Sequence, residues 1–230
     1  MKLQKETISL DKHGKWYGDA CGTAFAMELV GERWSLLIVR ELMLGGRRFS
    51  DLRASLTGIS AKVLTERLAG LERAGVLIKR KLPPPAATQV YELTEWGYFA
   101  EVAIQELGRW AARSPEHDPT LPLSPVGFML SMRTMLDKQG ASQFSATFGF
   151  DTAGEQFVGR LGGGELPITR EDPAGVDVLF RAPTPMDLAA LLHGKMPMDL
   201  WLEGEGRAIE GDHALAQRFL DLFELPPKAG

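Results

Sequence analysis

The stretch "GISAKVLTERLAGLERAGVLIKRKL", residues 58–82, constrains the fold more than any other part of the chain. Leu64, Leu68 and Leu71 recur at steps of four and three, which puts them on one stripe of a helix. Ser60 stands where an N-cap belongs, and Gly75 where a helix stops. From Val76 to Leu82 the apolar period changes to two, and Gln89–Leu93 alternates in the same way, so a two-stranded hairpin follows at once. Its tip, "PPPAAT", cannot pair as strand. Upstream, "SDLRASL" forms a short helix with Ser50 as candidate N-cap, separated from the next helix by the turn "TGI".

Helix, tight turn, capped helix and basic hairpin are the order of a winged helix-turn-helix. Two earlier helices, "DACGTAFAMELVG" and "RWSLLIVRELMLGG", end at Gly31 and at Gly45–Gly46, where glycine accepts a left-handed backbone. Thr94 caps a long helix to about Ala112. At about 100° per residue, Lys62, Glu66, Ala69 and Arg73 point away from the leucine stripe, with Thr65 on the shoulder. A helix fits the major groove of duplex DNA, and its capped N-terminus offers free N–H groups to phosphate.

Charge supports that direction. The whole chain of 230 residues carries a net −4, yet residues 33–81 hold 11 Lys and Arg against 4 Asp and Glu. Residues 116–230 carry a net −8, so one basic working surface sits on an otherwise acidic chain. Arg47 and Arg48 precede the motif and are candidates for phosphate. Lys62 and Thr65 are candidates for base edges or nearby phosphates and Arg67 for the backbone, with Ser60 and Arg73 completing the DNA-binding set on this helix. Such phosphate contacts position the protein and make affinity salt-dependent. An outward acid such as Glu66 repels phosphate unless it accepts from a cytosine amino group.

The residues "CGTAFAMELVGERWSLLIVRELMLGGRRFSDLRASLTGISAKVLTERLAGLERAGVLIKRK…YELTEWG" resemble the HxlR-type transcriptional regulators, relatives of the MarR group. The match runs nearly continuously over 21–97. It implies a dimeric winged-helix regulator that binds double-stranded operator DNA, with its recognition helix at 60–73. Members often carry a basic residue just before the returning wing strand. Thr88 occupies that neighbourhood here, which leaves wing contact to Lys79, Arg80 and Lys81. The family often has cysteine at the position of Cys21, where some members sense electrophiles or oxidants. A helix N-terminus favours the thiolate there, while the alternative for Cys21 is a small apolar residue at a dimer contact. Phe99, Val102, Ala103, Leu107 and Trp110 form a wide apolar face that, with the first helix, is expected to pack on a second copy.

"SPEHDPTLPLSP", residues 114–125, holds four prolines and reads as a linker. It divides a DNA-binding and dimerisation domain, 1–113, from a second domain, 126–230. There "PVGFMLSMRTMLDKQG" forms a methionine-rich helix, and "FSATFGFD", "EQFVGRLG" and "ELPITR" alternate like antiparallel strands. "VDVLFRA" is a further strand, Thr184 caps a helix to Leu192, and a short helix, a strand and a closing helix follow. "VDVLFRAPTPMDLAALLHGKMPMDLWLEGEGRAIEGD" resembles the sterol-carrier-protein type 2-like domain. That resemblance implies an α+β domain, an antiparallel sheet packed with helices around an apolar cavity. Phe128, Met132, Met135, Phe148, Leu188, Leu192 and Trp201 are candidate lining residues for a hydrophobic small-molecule effector.

Other classes are excluded by what the chain lacks. A single cysteine rules out an internal disulfide and suits a reducing cytoplasm. The start, "MKLQKETISLDKHGKWYG", has no apolar core for secretion, and no apolar run reaches the roughly 18 residues of a membrane span. There is no paired-cysteine or His-Glu-x-x-His metal spacing and no nucleophile elbow, and "GRLGGGEL" is a turn rather than a phosphate loop. The expectation is a cytoplasmic regulator without metal, cofactor or catalytic activity. Two alternatives stay open: a hydrophobic-ligand carrier whose helix-turn-helix mainly dimerises, and a regulator whose input is Cys21.

Overall fold

A computed structural model of the protein describes residues 17–83 and 88–229. The first sixteen residues, on which most of the expectation about secretion rests, and most of the "PPPAAT" tip lie outside the described residues. The first half contains α1 (Gly22–Val30), α2 (Ser35–Leu42), α3 (Phe49–Ser55), α4 (Ala61–Arg73), the hairpin β1 (Leu77–Lys81) and β2 (Gln89–Leu93), then α5 (Glu95–Tyr98) and α6 (Ala100–Ala112).

The leucine stripe of α4 is buried as its spacing demands, with Leu64, Leu68 and Leu71 each no more than 1% exposed. Ser60 Oγ accepts from Val63 N at 3.2 Å, which closes the cap. Three details differ from the sequence expectation. α3 starts at Phe49 with Arg48 as its N-cap, because Asp51, one turn on, accepts from the Arg48 backbone and not from that of Ser50. The helix after Thr94 comes in two pieces joined through Phe99. Gly31 is right-handed, and a Cβ there would sit 2.3 Å from the Met27 carbonyl oxygen, so crowding rather than left-handedness requires glycine.

The second half contains α7 (Pro125–Met135), α8 (Lys138–Ala141), β3 (Ala146–Thr152), β4 (Glu155–Leu161), β5 (Ile168–Thr169), β6 (Val178–Ala182), α9 (Pro185–Leu192), α10 (Met198–Leu202), β7 (Ala208–Gly211) and α11 (His213–Leu220). The sheet order is β5-β4-β3-β6-β7. The expected antiparallel sheet is in fact mixed: β3 pairs antiparallel with β4 but parallel with β6, Phe150 opposite Phe180. The chain between β5 and β6 returns across the sheet face opposite Phe148 and Phe150, so β6 enters in the direction of β3. Gly149 marks that crossing, since a Cβ there would lie 2.6 Å from Pro173 Cβ.

The other sheet face carries the helices. Phe148 stacks on Phe219 of α11 with ring centroids 3.8 Å apart, and Phe219 meets Phe223 edge-on. Residues 114–124 form no helix or strand, as the prolines dictate. The apolar core nevertheless runs across them without a break, joining Ile38, Leu42 and Leu64 to Val126, Phe128 and Phe148. α7 makes the join: it packs against α2 and α6 on one side and α9 on the other. The two halves therefore share one interior.

Candidate nucleic-acid interface

Packing of the leucine stripe leaves Ser60, Lys62, Thr65, Glu66 and Arg73 exposed on the other side of α4. The cations predicted to face DNA fall into two groups. Arg48, Lys62, Arg73 and Lys81 are exposed and pair with no carboxylate among the described residues. Arg53, on the exposed side of α3, joins them; sequence reasoning missed it, although its place one residue past buried Leu52 was a usable signal. Thr65 turns its hydroxyl back to the Ala61 carbonyl at 2.9 Å, so its methyl is the group it presents outward.

The second group is already engaged. Lys79 lies 3.0 Å from Glu72, whose hydrogen bond raises the ammonium pKa above its usual value, and Arg80 lies 2.8 Å from Glu92. Both pairs are surface pairs in water, so phosphate can compete for them. Arg67 is different. Its guanidinium donates to the Arg33 carbonyl at 3.2 Å and meets Glu32 at 3.0 Å, which fastens α4 to the turn before α2. The anchor of that turn is Trp34, the N-cap of α2, held in a left-handed conformation at φ 81. A bulky residue adopts such a backbone only where its surroundings enforce it.

Arg47 has to be removed from the DNA-facing set. It is 6% exposed, and its guanidinium points into the second half, where it reaches Glu155 at 2.8 Å. The reason is alternation: Arg47 lies in an extended bridge with Tyr91, so the side chains of Arg47 and Arg48 leave on opposite sides.

The predicted lining residues of the second half also require correction. Phe128, Met132, Met135, Phe148, Leu188, Leu192 and Trp201 are all buried, and all but Met135 belong to one packed core cluster instead of enclosing a large cavity. The void bordered by Phe128, Leu188 and Leu192 measures about 10 Å³, room for about one water. Trp201 Nε1 donates to the Asp187 carbonyl at 2.7 Å, so even its polar atom is satisfied. A larger open cleft of about 310 Å³ lies on the opposite sheet face, where Arg181 is held by Asp151 at 2.6 Å and Glu210 at 2.8 Å. No three His, Cys, Asp or Glu side chains converge as a metal site among the described residues. No helix among them is long and apolar enough to cross a membrane.

Cys21 is exposed at the N-cap of α1. The Thr23 and Ala24 backbone N–H groups at the start of α1 hold its thiol pKa below the usual value.

A capped helix beside a free basic rim, backed by a hairpin and set on a helical base, defines a winged helix-turn-helix protein. Residues 29–119 match the family model described as HxlR-like helix-turn-helix. The transcriptional regulator YodB of Bacillus subtilis is 35% identical over 96 residues, 42% of this chain and 86% of that protein. YtfH of Escherichia coli is 32% identical over 99 residues, 43% of this chain and 79% of that one. A solved structure of YodB from B. subtilis in its reduced form is 34% identical and covers 44% of this chain and 100% of that chain, with a TM-score of 0.39. The chain belongs to the HxlR-like helix-turn-helix family, and these relatives are named as transcriptional regulators.

Proposed function

We propose that the protein is a homodimeric transcriptional regulator that reads operator DNA with α4, assisted by the wing. One observation carries this reading: Arg48, Arg53, Lys62, Arg73 and Lys81 are exposed and unpaired among the described residues around a helix whose apolar side is fully buried. Unpaired surface cations retain all of their charge for phosphate, and release of counterions supplies most of the non-specific affinity. Dimerisation is supported by an exposed apolar face along α6 and its start, where Phe99, Val102 and Trp110 are 70%, 69% and 74% exposed. Contiguous exposed apolar surface of this kind marks an interaction site, and a two-fold pair would present two recognition helices.

The second half, with its sheet and one helical layer, is compatible with the sterol-carrier-like reading. Its closed interior supports a scaffold role over a standing ligand cavity, because a hydrophobic effector would have to displace packed side chains. A second input has its own support in Cys21, whose exposure and stabilised thiolate suit reaction with an electrophile. Cys21→Ser is expected to abolish any response to an electrophile while leaving basal DNA binding intact.

The decisive measurement is a salt titration of binding to a duplex recovered by the protein from a randomised pool. The double variant Arg48→Ala with Lys62→Ala should bind more weakly, with a log–log salt slope shallower by about 2, near 0.9 for each phosphate left without its cation. Equal affinity of the wild type for every duplex, or an unchanged slope in the variant, would overturn the reading.

A further inference from the structure

Arg47 opens the DNA-binding motif in sequence, yet its side chain belongs to the far half of the molecule. Its backbone exchanges two hydrogen bonds with Tyr91 of β2, at 2.9 and 2.8 Å, which ties it to the wing. The next residue is the N-cap of α3. Arg47 therefore sits at the joint where the wing meets the helix-turn-helix.

Its guanidinium donates to both carboxylate oxygens of Glu155, at 2.8 and 3.4 Å, beside the turn of the β3–β4 hairpin. Glu41 of α2, wholly buried, lies 3.7 Å from the same guanidinium. Arg170 holds Glu155 from another side at 2.5 Å, and Ser124 donates to Glu41 at 2.6 Å. The node is not arranged for maximal stability: Glu41 Oε2 and Arg47 Nε are buried without a hydrogen-bond partner. Arg40 also holds Glu41, at 2.8 Å, so a shift at this node would leave the buried Arg47 guanidinium unpaired while both carboxylates kept a partner. A buried charge that loses its partners is costly, which limits the geometries Arg47 can adopt.

The same half also grips α6. Arg133 of α7 meets Glu101 of α6 at 2.8 Å. Lys228, near the end of the chain, donates to the carbonyls of Ala112, Ser114 and His117 at 3.1, 2.9 and 3.1 Å. One body thus holds the start of the motif at Arg47 and the exposed apolar helix at both ends.

We propose that Arg47 and Glu155 are positioning residues for DNA recognition, through which the C-terminal half fixes the helix-turn-helix relative to α6 and so sets the half-site spacing that the dimer accepts. The inference rests on the DNA-binding reading above and adds to it a role for a half of the chain that need not touch DNA.

The test uses the full-length chain and a duplex recovered from a randomised pool, together with versions whose half-sites are moved one base pair closer or further apart. Glu155→Gln keeps the size of the side chain, removes its charge and replaces one accepting oxygen by a donating amide; Arg47→Met removes the guanidinium. Each is expected to weaken binding roughly 2–30-fold, the range found for changes along a coupled network, with the salt slope unchanged. The double variant should be no worse than the more damaging single one, because both act through one contact. Discrimination between spacings should narrow, which loss of folded protein alone would not produce. Unchanged affinity and spacing preference in Glu155→Gln would overturn the proposal, as would a salt slope shallower by about 1 in Arg47→Met, the mark of a direct phosphate contact. Should Arg47→Met fail to fold, Glu155→Gln decides alone. If Arg48→Ala with Lys62→Ala has no effect either, the DNA-binding reading itself has failed; if that pair weakens binding and Glu155→Gln does not, only the positioning role has.

Discussion

The two halves of this molecule use the same kinds of side chain in opposite ways. Around α4, Arg48, Arg53, Lys62, Arg73 and Lys81 stand in solvent with no carboxylate partner among the described residues, and Val102, Leu107 and Trp110 of α6 are left uncovered. In the C-terminal half the aromatic residues are stacked into a filled interior, and Arg170, Arg181 and Arg207 each meet a carboxylate. A surface of unpaired cations is suited to binding an anion; arginines held by carboxylates are suited to fixing a shape. The contrast supports the proposed division, with recognition in the first half and a scaffold in the second.

The sharpest way to break that contrast is to damage the interior. Phe219 touches Phe148, Phe150, Phe180 and Phe223, so Phe219→Ala should cost about 3–5 kcal/mol in unfolding free energy, measured in urea. A loss below about 1 kcal/mol would mean a loose core with room for a ligand after all, and the scaffold role would fall.

The next effect is a pH dependence confined to the same half. His193 Nε2 lies 2.8 Å from Ser131 Oγ, while its Nδ1 is buried without a partner. Burial first, and then the nearby charge of Lys195, lowers its pKa to about 4. The unfolded chain then binds the proton more readily than the folded one. Stability from the neutral ring is complete above the unfolded value of about 6.5 and declines as pH falls from there toward 4, by on the order of 3 kcal/mol. Chemical unfolding at pH 7 and pH 4 should show this decline, and His193→Gln should remove most of it.

Smallest in stability is the change on the recognition side. Ser60→Ala removes the cap of α4 and should cost about 1 kcal/mol. Arg53→Ala, by contrast, should leave stability within about 0.5 kcal/mol, as surface changes do, while still weakening DNA binding. An Arg53→Ala protein as tight as wild type would shrink the basic rim to α4 and the wing.

Much of the recognition half was legible because its signals are local. A serine at the cap, leucines at helical spacing and a switch to period two all act within a few residues of themselves, and the structure follows them at α4, β1 and β2. The second half was legible as a list of elements but not as an arrangement. Alternation in "FSATFGFD" and "VDVLFRA" announces strands without saying that they run parallel, because that depends on where the intervening chain returns. A row of Phe, Met and Leu likewise predicts an apolar interior, whether filled or hollow.

Arg47 and Arg48 show where the division falls. From the amino acids alone come the capped helix, its buried stripe, its hairpin and the excess of positive charge around them, since each follows from short-range sterics and periodicity. Which of two neighbouring arginines meets solvent and which a carboxylate 108 residues away was settled only when the chain closed on itself. Electrostatic partners of that kind are chosen by distance in space, and sequence separation carries almost no information about it.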